Sequence, residues 1–266
     1  MSVEEKKKTK YLVTINDIND IKDFKKVGIS TFVFALKDYS IGYENTYSCE
    51  EINNIDEKKY VLINQVLDNN KIDSLKKVLP NIKADGFIFE DIGLINIFKE
   101  LNIMGENILF MNHFNCNFES VNLWLDYVDS VFVSNELTYE ESKEITKECK
   151  KKVVLHIFGY NQIMYSKRKL LSNYYIYNNK EVKLKNSIKD KASNNIFNVV
   201  EDLDGTIFLS SKVFDGRRLL DLENVLYYYV NTSFVDHNTV MKFLNNEDID
   251  NSDEGFLDRK TIYKLK

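Results

Sequence analysis

The sequence predicts an α/β protein of the (β/α)8, TIM-barrel-like kind. It reads as a single domain with a β-hairpin excursion near its C-terminal third. Three observations carry this. Short apolar runs alternate with polar or amphipathic stretches from Tyr11 to Phe158, the pattern of strand–helix units with right-handed crossovers. The runs are rich in Val, Ile and Phe, as parallel strands covered on both faces are. Seven of them precede residue 160, and no Gly-x-Gly-x-x-Gly follows the first, which lowers the open dinucleotide-binding alternative.

The expected strands are residues 11–15, 31–36, 60–64, 86–89, 107–111, 130–133 and 153–158. An eighth is expected at 225–230, where Leu-Tyr-Tyr-Tyr-Val reads as a strand, the alternative being an aromatic helix edge. Between them, Ile72, Leu75 and Leu79 mark one helix face, stopped near Pro80. Residues 92–101 have helical spacing, and Val121, Leu123, Trp124, Leu125 and Val128 suit a buried helix face. Thr138-Tyr-Glu-Glu141 is a capping box whose helix should run to about Cys149. Residues 178–195 are polar and open an excursion taken as 178–215. Within it, 197–210 reads as a hairpin turning at Asp204-Gly205. The domain spans 1–266, and an acidic tail from 245 is expected to be flexible.

Composition narrows the classes. A chain of 266 residues can bury a substantial core. Its three cysteines, Cys49, Cys116 and Cys149, are scattered without a Cys-x-x-Cys pair. Neither a disulfide framework nor a four-thiolate metal site is encoded, which points to a reducing cytoplasm. Residues 1–10 are charged, unlike a signal peptide, and no run approaches a membrane span. The net charge is −5, but residues 150–191 hold eleven Lys or Arg against two acidic residues. That segment is either a solvated face or an anion-binding one.

In barrels of this type ligands bind at the C-terminal ends of the strands. The positions after the expected strands are Lys37 and Asp38, Gln65, Glu90 and Asp91, Asn112 and His113, Asn135 and Glu136, then Gly159 and Tyr160. Glu90, His113 and Glu136 are the candidate catalytic residues: two carboxylates and an imidazole able to divide acid and base roles. The bland reading is that they close loops. His156 lies inside a strand and reads as packed. Asn112, Asn135, Tyr160, Tyr165 and Arg168 are candidate substrate contacts, Arg168 as a planar fork for a carboxylate or phosphate. No Gly-x-Ser-x-Gly elbow and no His-Glu-x-x-His motif occurs, so neither a serine nucleophile nor a bound metal is expected.

Residues 165–174, Tyr-Ser-Lys-Arg-Lys-Leu-Leu-Ser-Asn-Tyr, resemble the signature of the collagenase-like U-thirty-two peptidase family. So do the hairpin Phe-Asn-Val-Val-Glu-Asp-Leu-Asp-Gly-Thr and the strand-end motifs at 89–93, 112–115 and 134–138, which look like those of short bacterial members. The resemblance covers about residues 11–240. It implies a barrel and a peptidase label, with a peptide or protein substrate and hydrolysis at the barrel mouth. Characterised relatives also include cluster-dependent hydroxylation proteins acting on RNA or quinone precursors. The alternative it implies is therefore a non-catalytic binding or accessory protein, RNA-associated through the basic 150–191 segment. Many members place two iron–sulfur cysteines in this stretch, where Gln162 and Lys169 stand here. No cofactor is expected. Gly159 is expected to end the apolar run and turn the chain into the Tyr160 loop.

Overall fold

A computed structural model describes residues 10–111, 113–192 and 194–259. Among these described residues twelve strands form one mixed sheet. The first six are β1 (Tyr11–Thr14), β2 (Thr31–Ala35), β3 (Lys58–Ile63), β4 (Gly86–Phe89), β5 (Glu106–Leu109) and β6 (Ser130–Val131). Then come β7 (Val153–Ser166), β8 (Lys185–Lys189), β9 (Ile196–Asp202), β10 (Gly205–Asp215), β11 (Val225–Val230) and β12 (Ser252–Asp253). The ladder order is β6-β5-β4-β3-β2-β1-β11-β7-β10-β9-β8, with β12 beside β10. Pairing is parallel from β6 through β1 and β11 to β7. It is antiparallel from β7 through β10 and β9 to β8.

The α-helices among the described residues are α1 (Ile21–Lys26), α2 (Cys49–Asn53), α3 (Asn69–Val78), α4 (Leu94–Glu100), α5 (Phe118–Trp124), α6 (Tyr139–Glu148), α7 (Leu170–Tyr177) and α8 (His237–Leu244). Side chains local in sequence cap the starts of α2, α3, α5, α6 and α8. Asp68 accepts from the Lys71 amide at 3.0 Å ahead of α3. Thr138 and Glu141 form the expected capping box ahead of α6.

Strand alternation divides the core into two layers. Phe32 and Phe34 of β2, with Val61 and Ile63 of β3, pack outward on the helices. Val33, Ala35, Tyr60 and Leu62 point inward, as a period of two requires. The inner layer joins residues from strands distant in ladder order. The Phe132 ring, just past β6, lies 5.2 Å from that of Tyr229 in β11, so the parallel part of the sheet curls until its inner face packs on itself. Between β6 and β7 a bridge joins Phe132 to Val154, where the Val133 amide donates to the Val154 carbonyl at 3.1 Å.

The structure corrects the reading of Gly159. The strand does not end there; it runs on to Ser166. Gly159 adopts φ +120°, and a Cβ would sit 2.3 Å from the Asn231 carbonyl oxygen. Only glycine lets β7 pass this close to the chain leaving β11. Beyond it β7 loses β11 and keeps the antiparallel partner β10. The expected hairpin is β9–β10. The polar stretch ahead of it contributes the strand β8, which apolar periodicity does not reveal because its side chains are almost all exposed. The described part of the tail docks: β12 pairs with β10 and Leu257 is buried.

Candidate functional site

The parallel strands share one direction, so the residues that follow them gather at one end of the sheet. A cavity of about 250 Å³ opens there, with Gln65, Glu90, Phe110, His113, Phe114 and Gln162 in its wall. Glu90 follows β4 directly and its amide donates to the Ile63 carbonyl at 3.2 Å. Burial pushes its carboxyl up to about 8, against a smaller opposing effect of the Asn64 side chain. At neutral pH it therefore keeps its proton and presents both a donor and an acceptor. Gln65 is held by donating Nε2 to the Ser40 carbonyl at 3.2 Å.

His113 stands at the rim with its Nδ1 2.9 Å from Glu136 Oε1. Both are exposed, so this pair is solvated. Two of the three candidate catalytic residues, Glu90 and His113, therefore share the cavity. Glu136 reaches it through His113. Asn112 lies outside the described residues.

Below the cavity is a second polar layer. Asn135 Nδ2 donates to Asn161 Oδ1 at 2.8 Å and lies 3.4 Å from His156 Nδ1. His156 Nε2 is 2.7 Å from the Phe158 carbonyl. A carbonyl only accepts, so Nε2 carries the hydrogen. Burial pushes this histidine down to about 4, with the Phe158 bond opposing. It is therefore neutral, and its Nδ1 is a bare acceptor facing Asn135. Tyr160, Gln162 and His156 line one small void of about 20 Å³.

The remaining candidates sit on the extended half of β7 and beyond. Tyr165 is half-buried and donates to the Asp204 carbonyl at 3.3 Å. Burial pushes its hydroxyl up to about 12. Arg168 is exposed and outside the cavity wall, and its guanidinium has no hydrogen-bond or ion-pair partner among the described residues. Its neighbour Lys167 pairs with Asp68 at 3.2 Å, and Lys71 pairs with Asp204 at 3.2 Å. These pairs lay the hairpin tips against the loop that carries Gln65 and Val66. Gln162 enters the site because β7 continues past Gly159. The sequence signal for it was its alternation with Tyr160 on one face of a strand, masked by the expectation of a loop.

The iron–sulfur cluster that the resemblance brings to mind does not fit these residues. Gln162 faces the cavity, while Lys169 is exposed. Cys49 donates to the Asn81 carbonyl, Cys116 is exposed, and burial pushes the Cys149 thiol up to about 11. Among the described residues no group of three or more His, Cys, Asp or Glu is placed to hold a metal ion. No helix among them is long and apolar enough to cross a membrane.

Comparison with known proteins adds three likenesses. The model of peptidase family U32 matches residues 45–184. The tRNA hydroxylation protein P2 of Bacillus subtilis (strain 168) is 25% identical over 228 residues, covering 77% of this chain and 72% of that protein. The solved structure of the U32 peptidase Mk0906 superposes with a TM-score of 0.53 at 10% identity, over 85% of this chain and 93% of that one.

Proposed function

From the premise that this chain belongs to peptidase family U32, we propose that it binds tRNA and holds a base in the strand-end cavity, in the modification for which its Bacillus relative is named. The observation that carries this is the composition of the cavity wall. The mostly buried Phe110 and the exposed Phe114 offer aromatic surface, while the protonated Glu90 and the amides of Gln65 and Gln162 offer paired donors and acceptors. Aromatic faces with a hydrogen-bonding edge suit a planar base splayed out of its stack. The share of this chain is to bind and orient. Glu90 donates to the base edge, Gln162 fixes it from β7, and the exposed cations Arg168 and Lys169 attract the phosphates. The fold that serves this is a single-domain (β/α)8 barrel, joined at the Phe132–Val154 bridge, with the 178–215 excursion over its mouth.

A second reading is a peptidase. It is favoured by the His113–Glu136 pair at 2.9 Å, in which the carboxylate would orient the imidazole as a general base toward water. One pair of assays separates the two. Anisotropy with labelled tRNA should show binding that Gln162→Ala weakens about tenfold, the effect of about 1.4 kcal/mol. A peptide library should show no turnover. Peptide cleavage abolished by His113→Ala, with no tRNA binding, would overturn the RNA reading.

A further inference from the structure

The loop after β11 carries a backbone outlier. Among the described residues eight non-glycine residues have positive φ, and seven are Asn or Asp, whose short polar side chains tolerate that region. The eighth is Phe234, at φ +64°. A bulky residue held there is strained, and such strain gathers at functional sites. The loop pins it: Thr232 donates to the Thr14 carbonyl at 2.8 Å, the Ser233 amide to Asn231 Oδ1 at 3.1 Å, and the Phe234 amide to Glu44 at 3.3 Å.

The pinned ring is not sealed in the core. One part rests on the small cluster of Ile41, Ile207 and Leu209. The rest faces a cavity of about 390 Å³ between this loop and the excursion sheet, walled also by Tyr160, Lys185 and Asn198. Lys185 of β8 holds its ammonium 5.5 Å from the ring centroid, within cation–π range. Tyr160 and Gln162 occupy alternate positions of β7 and line the same small void, so they share a face of the strand. They stand roughly 6–7 Å apart. Gln162 serves the Glu90 cavity and Tyr160 serves this one.

We propose that the groove between Phe234 and β8 is a second base-binding subsite for single-stranded RNA, in which a nucleotide neighbouring the one in the Glu90 cavity stacks on Phe234 and Lys185 meets its phosphate. Phe234 and Tyr160 supply the rings, and Lys185, whose ammonium lies over the Phe234 ring in the free protein and moves off it to the phosphate as the base stacks, supplies the charge that single strands require. The assignment rests on the RNA reading above but is separable from it.

The test uses the full chain, a labelled single-stranded RNA 9-mer and a nucleoside monophosphate. Phe234→Gly removes the ring and relieves the backbone. Affinity for the 9-mer should fall about 5- to 150-fold, the range supplied by stacking one base. Phe234→Tyr should bind within about twofold of wild type. Lys185→Gln, which leaves the loop intact, should also weaken the 9-mer. Affinity for the monophosphate should be unchanged in all three. A ring with a merely structural role would leave RNA affinity alone on removal. If wild type binds the 9-mer and Phe234→Gly and Lys185→Gln bind it equally well, the subsite is wrong and the Glu90 reading stands. If wild type binds no RNA, both fall. If an extended peptide binds wild type and loses affinity in Phe234→Gly, the groove belongs to a polypeptide and the assignment is overturned.

Discussion

A carboxyl group taken out of water into an apolar wall prefers to keep its proton, and Glu90 is the residue for which this matters most. Its folded value of about 8 lies above the ordinary 4.5. Between those values the folded chain holds a proton that the unfolded chain has lost. Stability is therefore lost as pH rises through this window, with a limiting slope of about 1.4 kcal/mol per pH unit. Glu90→Gln keeps the shape without the titration. Urea midpoints measured from pH 5 to 8 should fall more steeply in wild type than in the variant. Parallel curves would show that Glu90 is ionised and solvated, which would remove its donor role.

At the scale of elements, α7 shows how a long-range contact makes a local structure. The residue before it, Lys169, supplies no side-chain cap. The cap comes from Glu201 of β9, which is buried and accepts from the Leu171 amide at 2.7 Å, the Ser172 amide at 3.2 Å and the Ser172 hydroxyl. Burial works to raise the Glu201 carboxyl, but the bonds from Ser172, Thr206 and Leu171 outweigh it and hold it below the usual range. Removing it leaves buried donors unmet, each costing about 1–3 kcal/mol. Glu201→Ala should thus lower stability by roughly 2–4 kcal/mol. Faster amide exchange should be concentrated in residues 170–177. Loss spread evenly over the chain would mean that Glu201 serves the sheet rather than the helix.

For the whole molecule the decisive place is the seam between β6 and β7. The Val133 amide donates to the Val154 carbonyl there, and Phe132 packs edge-to-face with both Phe110 and Tyr229 within the inner layer. In a ring closed at this seam the Val133 amide opens only with the sheet. Its hydrogen exchange should then match that of the Phe132 amide, which bonds to Leu109 on the other side at 2.8 Å. Exchange of Val133 alone at the rate of a frayed edge would make the sheet open, and the (β/α)8 reading would fail.

Periodicity determined the strand–helix alternation, because a strand buried on both faces must be apolar throughout and a capping box such as Thr138–Glu141 is complete within four residues. The same local logic put Glu90 and His113 at strand ends and kept His156 inside a strand. It did not reveal that Gln162 joins them. Nothing near Gly159 announces that the chain leaving β11 passes 2.3 Å from where a side chain would be, since the obstacle is the carbonyl of Asn231, contributed by the far end of the chain. Nor could it show β8, whose exposed side chains carry no apolar period, or the cap that Glu201 lends to α7 across thirty residues. Short-range signals specify which elements form. Close approach, burial of a carboxyl and the strain at Phe234 depend on what the fold brings opposite each residue, and those partners are distant in sequence.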